Sequence, residues 1–153
     1  RIPGPWKVTS TYLRGEPAGA DKVKVPRFGH FTQQGAEVQK FAVKRASEVY
    51  EVLRNEWLKQ APGRNLNDLT FIGHQANLRM LEAVARRCEV PEGRHLFNVD
   101  VRGNVGSSGA PSVFSEHWGS DQLGKAIGPR VMKNDKSEYG PSWLVAELLT
   151  GFL

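Results

Sequence analysis

His74 and Asn104 are the two residues whose types and positions suggest catalysis. His74 directly follows residues 69–72, a short apolar run typical of a buried strand, and it precedes a stretch with helical periodicity. Asn104 ends a predicted tight turn after residues 96–100, which we expect to form the next strand. Because ligand sites in α/β proteins lie beyond the carboxyl ends of strands, the two side chains are predicted to share one site.

Together these two side chains could bind an oxyanion as it develops. The positive end of the helix after His74 favours neutral imidazole, which can donate one hydrogen bond. The amide of Asn104 can donate a second to the same oxygen, and two such donors form an oxyanion hole. Residue patterns alone leave a structural interpretation open, since a histidine before a helix is often a cap and an asparagine after glycine is often a turn former.

The elements that must position these residues alternate between strand and helix. Apolar residues at spacings of three and four predict helices, and short apolar or alternating runs predict strands. The predicted helices cover residues 34–59 and 76–88, and a third, shorter helix follows the small residues 106–110 and ends near Trp118. The predicted strands cover residues 22–25, 69–72 and 96–100. This order indicates an α/β fold with helices packed on a sheet.

Composition is that of a mildly basic globular protein. The formal net charge is +5, and 39% of the residues are hydrophobic. Apolar runs are too short to span a bilayer, and the first residues have no signal-peptide pattern, so we expect a cytoplasmic protein without a membrane partner. The basic charges are interleaved with acidic ones and no nucleic-acid-binding motif is present, so a nucleic-acid partner is not expected.

Cys88 is the only cysteine, which excludes an internal disulfide and fits a reducing compartment. It shares a predicted apolar helix face with Leu81, Val84 and Ala85. A cysteine on such a face is normally an inert small hydrophobe. We therefore expect that Cys88 is not a catalytic nucleophile.

Three motifs resemble the β-ketoacyl-acyl-carrier-protein synthase III family. Residues 74–79, His-Gln-Ala-Asn-Leu-Arg, are similar to the His-Gln-Ala-Asn-x-Arg signature of that family. Residues 98–104 are similar to its Gly-Asn segment at a similar distance downstream, and residues 34–43 resemble the start of its preceding helix. The resemblance covers about residues 29–118, and the combination of motifs is more specific than any one of them.

The resemblance implies a thiolase-like fold, of which this chain would be the C-terminal half: a mixed sheet with packed helices. Residues 1–28 would be a linker or entry segment, and residues 29–153 the catalytic half-domain. His74 and Asn104 would hold the thioester oxygen of a malonyl group during a decarboxylative Claisen condensation in fatty acid biosynthesis. The cysteine that accepts the acyl group would lie on an N-terminal half, so this chain would be incomplete alone.

The resemblance also implies the substrates, the partners and a substrate-binding set. That set is Gly35, Ala36, Ala76, Asn77 and Arg79. Substrates would be coenzyme A or acyl-carrier-protein thioesters, with no further cofactor and no metal. Partners would be the N-terminal half of the same enzyme or a separate complementary chain, the acyl carrier protein, and a second copy in a homodimer of the complete enzyme.

Some residues depart from the family pattern. Ala36 stands where the family usually has an asparagine that contacts the pantetheine arm, and Gln39 stands where an aromatic residue is common. Residues 139–144 match its closing glycine-rich loop only loosely. An alternative hypothesis is a non-catalytic thiolase-fold partner that stabilises or regulates an active synthase. The presence of both His74 and Asn104 favours the catalytic interpretation.

Overall fold

A computed structural model describes residues 8–60, 63 and 65–117, together with the backbone of residues 142–146. The helices in these ranges are α1 (Gly35–Lys59), α2 (Leu78–Arg87), α3 (Val99–Arg102) and α4 (Gly109–His117). The strands are β1 (Val23–Lys24), β2 (Thr32–Gln33), β3 (Leu69–Gly73), β4 (His95–Leu96) and β5 (Ser142–Ala146). Single 3₁₀ turns lie at Pro17–Gly19, Leu66–Asp68 and Gly106–Ser108.

The sheet that positions the site contains three described strands in the order β4-β3-β5. Both neighbours run parallel to β3, with Phe71 opposite His95 and Leu144 opposite Phe71. All five residues of β3 are buried, as expected for a central parallel strand that is covered on both faces. Antiparallel pairing, which the predicted mixed sheet requires, occurs among the described strands only in the separate hairpin of β1 and β2.

Helices cover both faces of this sheet. Because successive side chains of a strand point to opposite faces, Leu69 and Phe71 face one way and Ile72 faces the other. Leu69 and Phe71 pack with α1 and α2 in a core that includes Tyr50, Trp57, Val84 and Cys88. Ile72 packs with Leu96 and with Ala110 and Val113 of α4. The predicted α/β layering is therefore confirmed.

Element by element, the predicted helices agree with the structure to within a few residues. The helix predicted over residues 34–59 is α1, and Gln60 caps its carboxyl end, while Ala61 and Pro62 lie outside the described residues. The helix predicted over residues 76–88 is shorter at both ends, because Asn77 caps the first turn of α2. The third predicted helix corresponds to α4, and its predicted end at Trp118 lies outside the described residues.

The prediction of a strand over residues 96–100 is wrong. Only His95 and Leu96 pair with β3, and the chain then turns into the short helix α3. Alternating apolar and polar residues suggested a strand, but the backbone leaves the sheet after Leu96. The backbone N–H groups of Asn98 and Val99 bind a side chain from another segment instead of a neighbouring strand.

Residues 8–34 are joined to α1 by ion pairs and, at its carboxyl end, by a hydrogen bond from Gln60 to Ser10. Glu16 pairs with Arg45, and Lys22 lies 2.9 Å from Glu37. The domain boundary between residues 28 and 29 stays a prediction. Within the described ranges, no helix combines the length and the apolar character that crossing a membrane requires.

Candidate active site

His74 lies immediately after β3, at the carboxyl end of the central strand, as its sequence position predicted. Its side chain is half-buried. Its carbonyl oxygen accepts a hydrogen bond from the Ala76 N–H at 2.9 Å, which tightens the turn between β3 and α2. The turn ends where the Asn77 side chain accepts from the Met80 N–H at 3.3 Å and caps α2.

Gln75 is the buried polar residue that joins this turn to the next loop. Its Nε2 donates to the Gly73 carbonyl at 2.7 Å. Its Oε1 accepts from the N–H of Asn98 at 3.0 Å and from the N–H of Val99 at 3.2 Å. A single buried side chain therefore ties the turn that carries His74 to the amino end of α3.

Asn98 and Arg102 fix α3 to α4 through Glu116. The Asn98 amide donates to Ser112 Oγ and to Glu116 Oε2, each at 2.9 Å. Arg102 Nε donates to the other carboxylate oxygen at 2.7 Å. These two donors, the Asn98 amide first, lower the pKa of Glu116. The carboxylate therefore stays ionised and holds the loop in place.

Asn104 follows α3 in a turn that requires glycine. Gly103 has φ of 70° and ψ of −166°, a region that favours glycine. Asn104 is exposed, and its Oδ1 accepts from the Gly106 N–H at 3.0 Å. Because the side-chain oxygen of Asn104 faces this N–H group, the NH₂ group of the same amide points away from it. Of the three residues predicted to form a tight turn, Arg102 ends α3, and Gly103 and Asn104 lie in the loop that follows it.

The site residues thus divide between two loops at the same end of the sheet. His74 follows β3, Asn104 lies beyond β4, and the strands are parallel neighbours, so both loops leave the same edge. Gln75 connects them directly. The structural roles of Gln75 and Asn98 could not be predicted from the sequence, because no local pattern indicates a bond between residues 23 positions apart.

The predicted substrate-binding residues occupy two elements. Ala76, Asn77 and Arg79 belong to the turn after His74 and to the first turn of α2, and Asn77 also has a structural role as a cap. Gly35 and Ala36 are the first two residues of α1, and both are exposed. Substrate binding by all five residues stays a prediction.

A cavity of about 300 Å³ lies elsewhere, between residues 16–22 and the first half of α1. Its charged lining residues are paired with one another, Glu16 with Arg45 and Lys22 with Glu37. Neither His74 nor Asn104 lines it. Among the described residues, no group of three or more His, Cys, Asp or Glu side chains could hold a metal ion.

Cys88 lies inside the core formed by α1, α2 and β3, with 2% of its surface exposed. Burial raises the pKa of its thiol, and its contact with the Ser47 carbonyl oxygen at 3.9 Å is a smaller opposing effect. A buried thiol that resists ionisation is a poor nucleophile. The position of Cys88 therefore agrees with the structural role that its helix face indicated.

The layered fold, with a site at the carboxyl edge of its parallel strands, is that of the thiolase-like α/β proteins. Among solved structures, 3-oxoacyl-[acyl-carrier-protein] synthase III from Aquifex aeolicus superposes on 74% of this chain with a TM-score of 0.61, at 24% identity and over 35% of its own length. The β-ketoacyl-[acyl-carrier-protein] synthase III from Thermus thermophilus superposes on 70% with a TM-score of 0.56, at 28% identity and over 36% of its length.

Sequence comparisons point to the same family. Residues 60–126 match the family described as 3-oxoacyl-[acyl-carrier-protein (ACP)] synthase III C terminal. The β-ketoacyl-[acyl-carrier-protein] synthase III of Rubrobacter xylanophilus is 34% identical over 121 residues, which are 71% of this chain and 36% of the relative. That of Xanthomonas axonopodis pv. citri is 38% identical over 89 residues, 58% of this chain and 26% of the relative.

Residues 60–126 of this chain are therefore similar to the C-terminal domain of β-ketoacyl-acyl-carrier-protein synthase III, and the fold is thiolase-like. The chain spans between about a quarter and a third of the length of these curated relatives. The matched residues 60–126 include both His74 and Asn104.

Proposed function

We propose that this chain supplies the decarboxylating part of a synthase III-type acyltransferase. His74 and Asn104 would donate hydrogen bonds to the thioester oxygen of a malonyl group. The observation that carries the proposal is the Gln75 connection, which joins the two loops bearing these residues inside the matched region. Two donors held on connected loops suit a reaction in which charge develops on one oxygen.

The chemistry needs this oxygen to be stabilised. When the malonyl carboxylate leaves as CO₂, the electron pair of the broken C–C bond moves towards the thioester carbonyl and gives an enolate. Hydrogen bonds from neutral donors stabilise the enolate oxygen more than the starting carbonyl, so they lower the barrier. The enolate carbon then attacks an acyl thioester on a cysteine, which forms the new C–C bond and releases the thiolate.

The acyl-accepting cysteine of this scheme would come from outside these 153 residues, in the same polypeptide or in another chain. Cys88 does not serve, because it is buried in the core and its thiol pKa is raised. In this scheme the acyl group on the cysteine faces the malonyl group that the His74 and Asn104 loops bind. A complementary α/β unit that carries the cysteine is the partner that we propose.

The exposed face of α2 would meet the carrier of the malonyl group. Arg79, Arg86 and Arg87 are exposed on the helix that begins beside His74, and Lys40 and Lys44 are exposed on α1. Such a surface attracts an acidic carrier protein or the phosphates of coenzyme A. The predicted substrate-binding residues Gly35, Ala36, Ala76, Asn77 and Arg79 would then line the approach of the pantetheine arm.

His74→Ala or Asn104→Ala in the complete enzyme should slow malonyl decarboxylation by about 100- to 1000-fold, the usual effect of losing one oxyanion donor. Single-turnover acylation of the cysteine from acyl-coenzyme A should suffer less, since it does not use the malonyl oxygen. The measurement is the rate of CO₂ release from a malonyl thioester, beside acylation followed by intact mass.

Matched controls are His30→Ala and Asn55→Ala, which remove the same side-chain types from exposed positions and should leave both steps unchanged. The proposal fails if Asn104→Ala abolishes acylation but spares decarboxylation, because Asn104 would then be a turn residue or a binding contact. Unchanged decarboxylation in both variants would instead favour a non-catalytic partner subunit.

A further inference from the structure

Gln75 is a fully buried polar side chain whose hydrogen-bonding groups face backbone atoms of two loops. Its relative exposure is 0%. Its amide nitrogen donates to the Gly73 carbonyl, and its oxygen accepts two backbone N–H groups. A buried amide whose oxygen accepts two hydrogen bonds is held firmly, because each hydrogen bond lost would leave a buried polar group without a partner.

The first of these bonds spans His74. The Gly73 carbonyl and the Gln75 side chain close a ring around the residue between them, while the Ala76 N–H closes a second ring onto the His74 carbonyl. The backbone on both sides of His74 is therefore fixed by hydrogen bonds. The direction in which the imidazole leaves the chain depends on both rings.

The second set of bonds caps α3. Asn98, the residue before this helix, makes no capping bond with its own side chain. The Gln75 oxygen takes its place by accepting the N–H groups of Asn98 and Val99. Since α3 is only four residues long and ends at the turn that carries Asn104, the orientation of that turn depends on this cap.

Packing leaves Gln75 no room to move. A methyl group on Gly109, the first residue of α4, would lie 2.7 Å from the Gln75 Cβ and 3.4 Å from its backbone nitrogen. The shorter of these contacts, 2.7 Å, does not occur without displacement. Gly109 thus allows α4 to press the Gln75 side chain into its bonded position.

We propose that Gln75 is a positioning residue that sets the spacing and orientation of His74 relative to Asn104. This inference rests on the proposed function of those two residues. Gln75 does not touch the substrate; it acts through the two loops. A misplacement of one donor by about 1 Å can cost on the order of 100-fold in rate.

Glutamine suits this position because its side chain ends in an NH₂ group that can donate and an oxygen that can accept two hydrogen bonds. An ionised glutamate has no donor for the Gly73 carbonyl and would oppose that oxygen. A protonated glutamic acid has nearly the same shape, donates through its O–H and accepts through its C=O. Leucine fills a similar volume with neither function.

The test is the pH profile of malonyl decarboxylation in the complete enzyme with Gln75→Glu, Gln75→Leu and wild type. At pH 8 both variants should be slower by about 10- to 100-fold in kcat, with a smaller change in KM. As the pH falls towards 5, the ratio of Gln75→Glu to wild type should rise by at least about 5-fold as the carboxyl group is protonated. The ratio for Gln75→Leu should stay low throughout.

A second measurement separates this inference from the proposed function. Hydrogen exchange of the Asn98 and Val99 amides should accelerate by at least about 10-fold in Gln75→Leu, because both amides lose their acceptor. If His74→Ala impairs decarboxylation while both Gln75 variants keep the wild-type rate and pH profile, the inference is overturned and the function stands. If His74→Ala has no effect, the function fails, and with it the role of Gln75 in catalysis.

Discussion

At the scale of single residues, the site combines two kinds of polar side chain. His74, which is half-buried, and Asn104, which is exposed, carry the chemistry in our proposal, whereas Gln75 and Asn98 are buried and hold them. His74 and Asn104 could be singled out from the sequence, because each follows a recognisable strand or turn signal. The buried pair could not, since its partners are backbone atoms of distant segments and hydrogen bonds of that kind leave no periodic trace.

His95 carries a residue-scale prediction about pH. Its ring stacks on Phe71 at 5.2 Å and lies 5.2 Å from Phe97, and burial lowers its pKa to about 4. The unfolded chain binds a proton near pH 6.5, so unfolding takes up a proton between pH 6.5 and 4. The contribution of the neutral, buried His95 to the free energy of unfolding is complete above pH 6.5. This contribution is lost as the pH falls, by roughly 3 kcal/mol in total.

Denaturant unfolding at pH 7.5 and pH 4.5 measures this effect. His95→Phe keeps an aromatic ring in the stack and removes the titrating group, so its free energy of unfolding should fall less between the two pH values than that of wild type. His30→Ala, which removes an exposed histidine, should behave as wild type. An equal loss of stability in wild type and His95→Phe would show that His95 is not the group responsible.

At the scale of elements, the strong periodic signals predicted the structure well. The long apolar stripe of α1 and the apolar run of β3 correspond to elements in the structure because packing and local pattern favour the same outcome. The strand predicted over residues 96–100 did not form beyond Leu96, because the backbone of Asn98 and Val99 binds Gln75. This tertiary contact overrides the alternating pattern. Residues 142–146, which we assigned to no element, form β5 beside β3.

The exposed arginines of α2 carry an element-scale prediction about the carrier protein. Arg79→Glu combined with Arg86→Glu should weaken binding of an acidic carrier protein to the complete enzyme by roughly 3- to 30-fold at low salt. Exposed charge contacts contribute only about 0.2–1 kcal/mol each, so two reversals are needed for a clear effect. The dissociation constant and its dependence on salt concentration are the quantities to measure.

The control for this pair is Lys24→Glu combined with Lys59→Glu, which changes the net charge equally at exposed positions outside α2. That variant should bind the carrier nearly as wild type does. Equal weakening by both pairs would mean that only the net charge matters, and an unchanged affinity after the α2 reversals would remove the docking proposal.

At the scale of the whole molecule, the described residues form a parallel sheet with helices on both faces and two connected loops at one edge. Fold class and family resemblance could be predicted from the sequence because the motif residues also have local structural roles. His74 lies in the turn after β3, and Asn77 caps α2. The chain corresponds to about a third of the length of its Rubrobacter xylanophilus relative. In our proposal the acyl-accepting cysteine comes from outside these residues, because Cys88 is buried.

The most direct test of the central claim is a double-mutant cycle on malonyl decarboxylation in the complete enzyme, with His74→Ala, Asn104→Ala and both together. If the two side chains donate to one oxygen as a unit, the double variant should be within about 10-fold of the slower single variant. Losses that multiply, giving a decrease on the order of 10⁴- to 10⁶-fold, would mean that the residues act independently. That result, or an Asn104→Ala variant with the wild-type rate, would contradict a shared oxyanion hole.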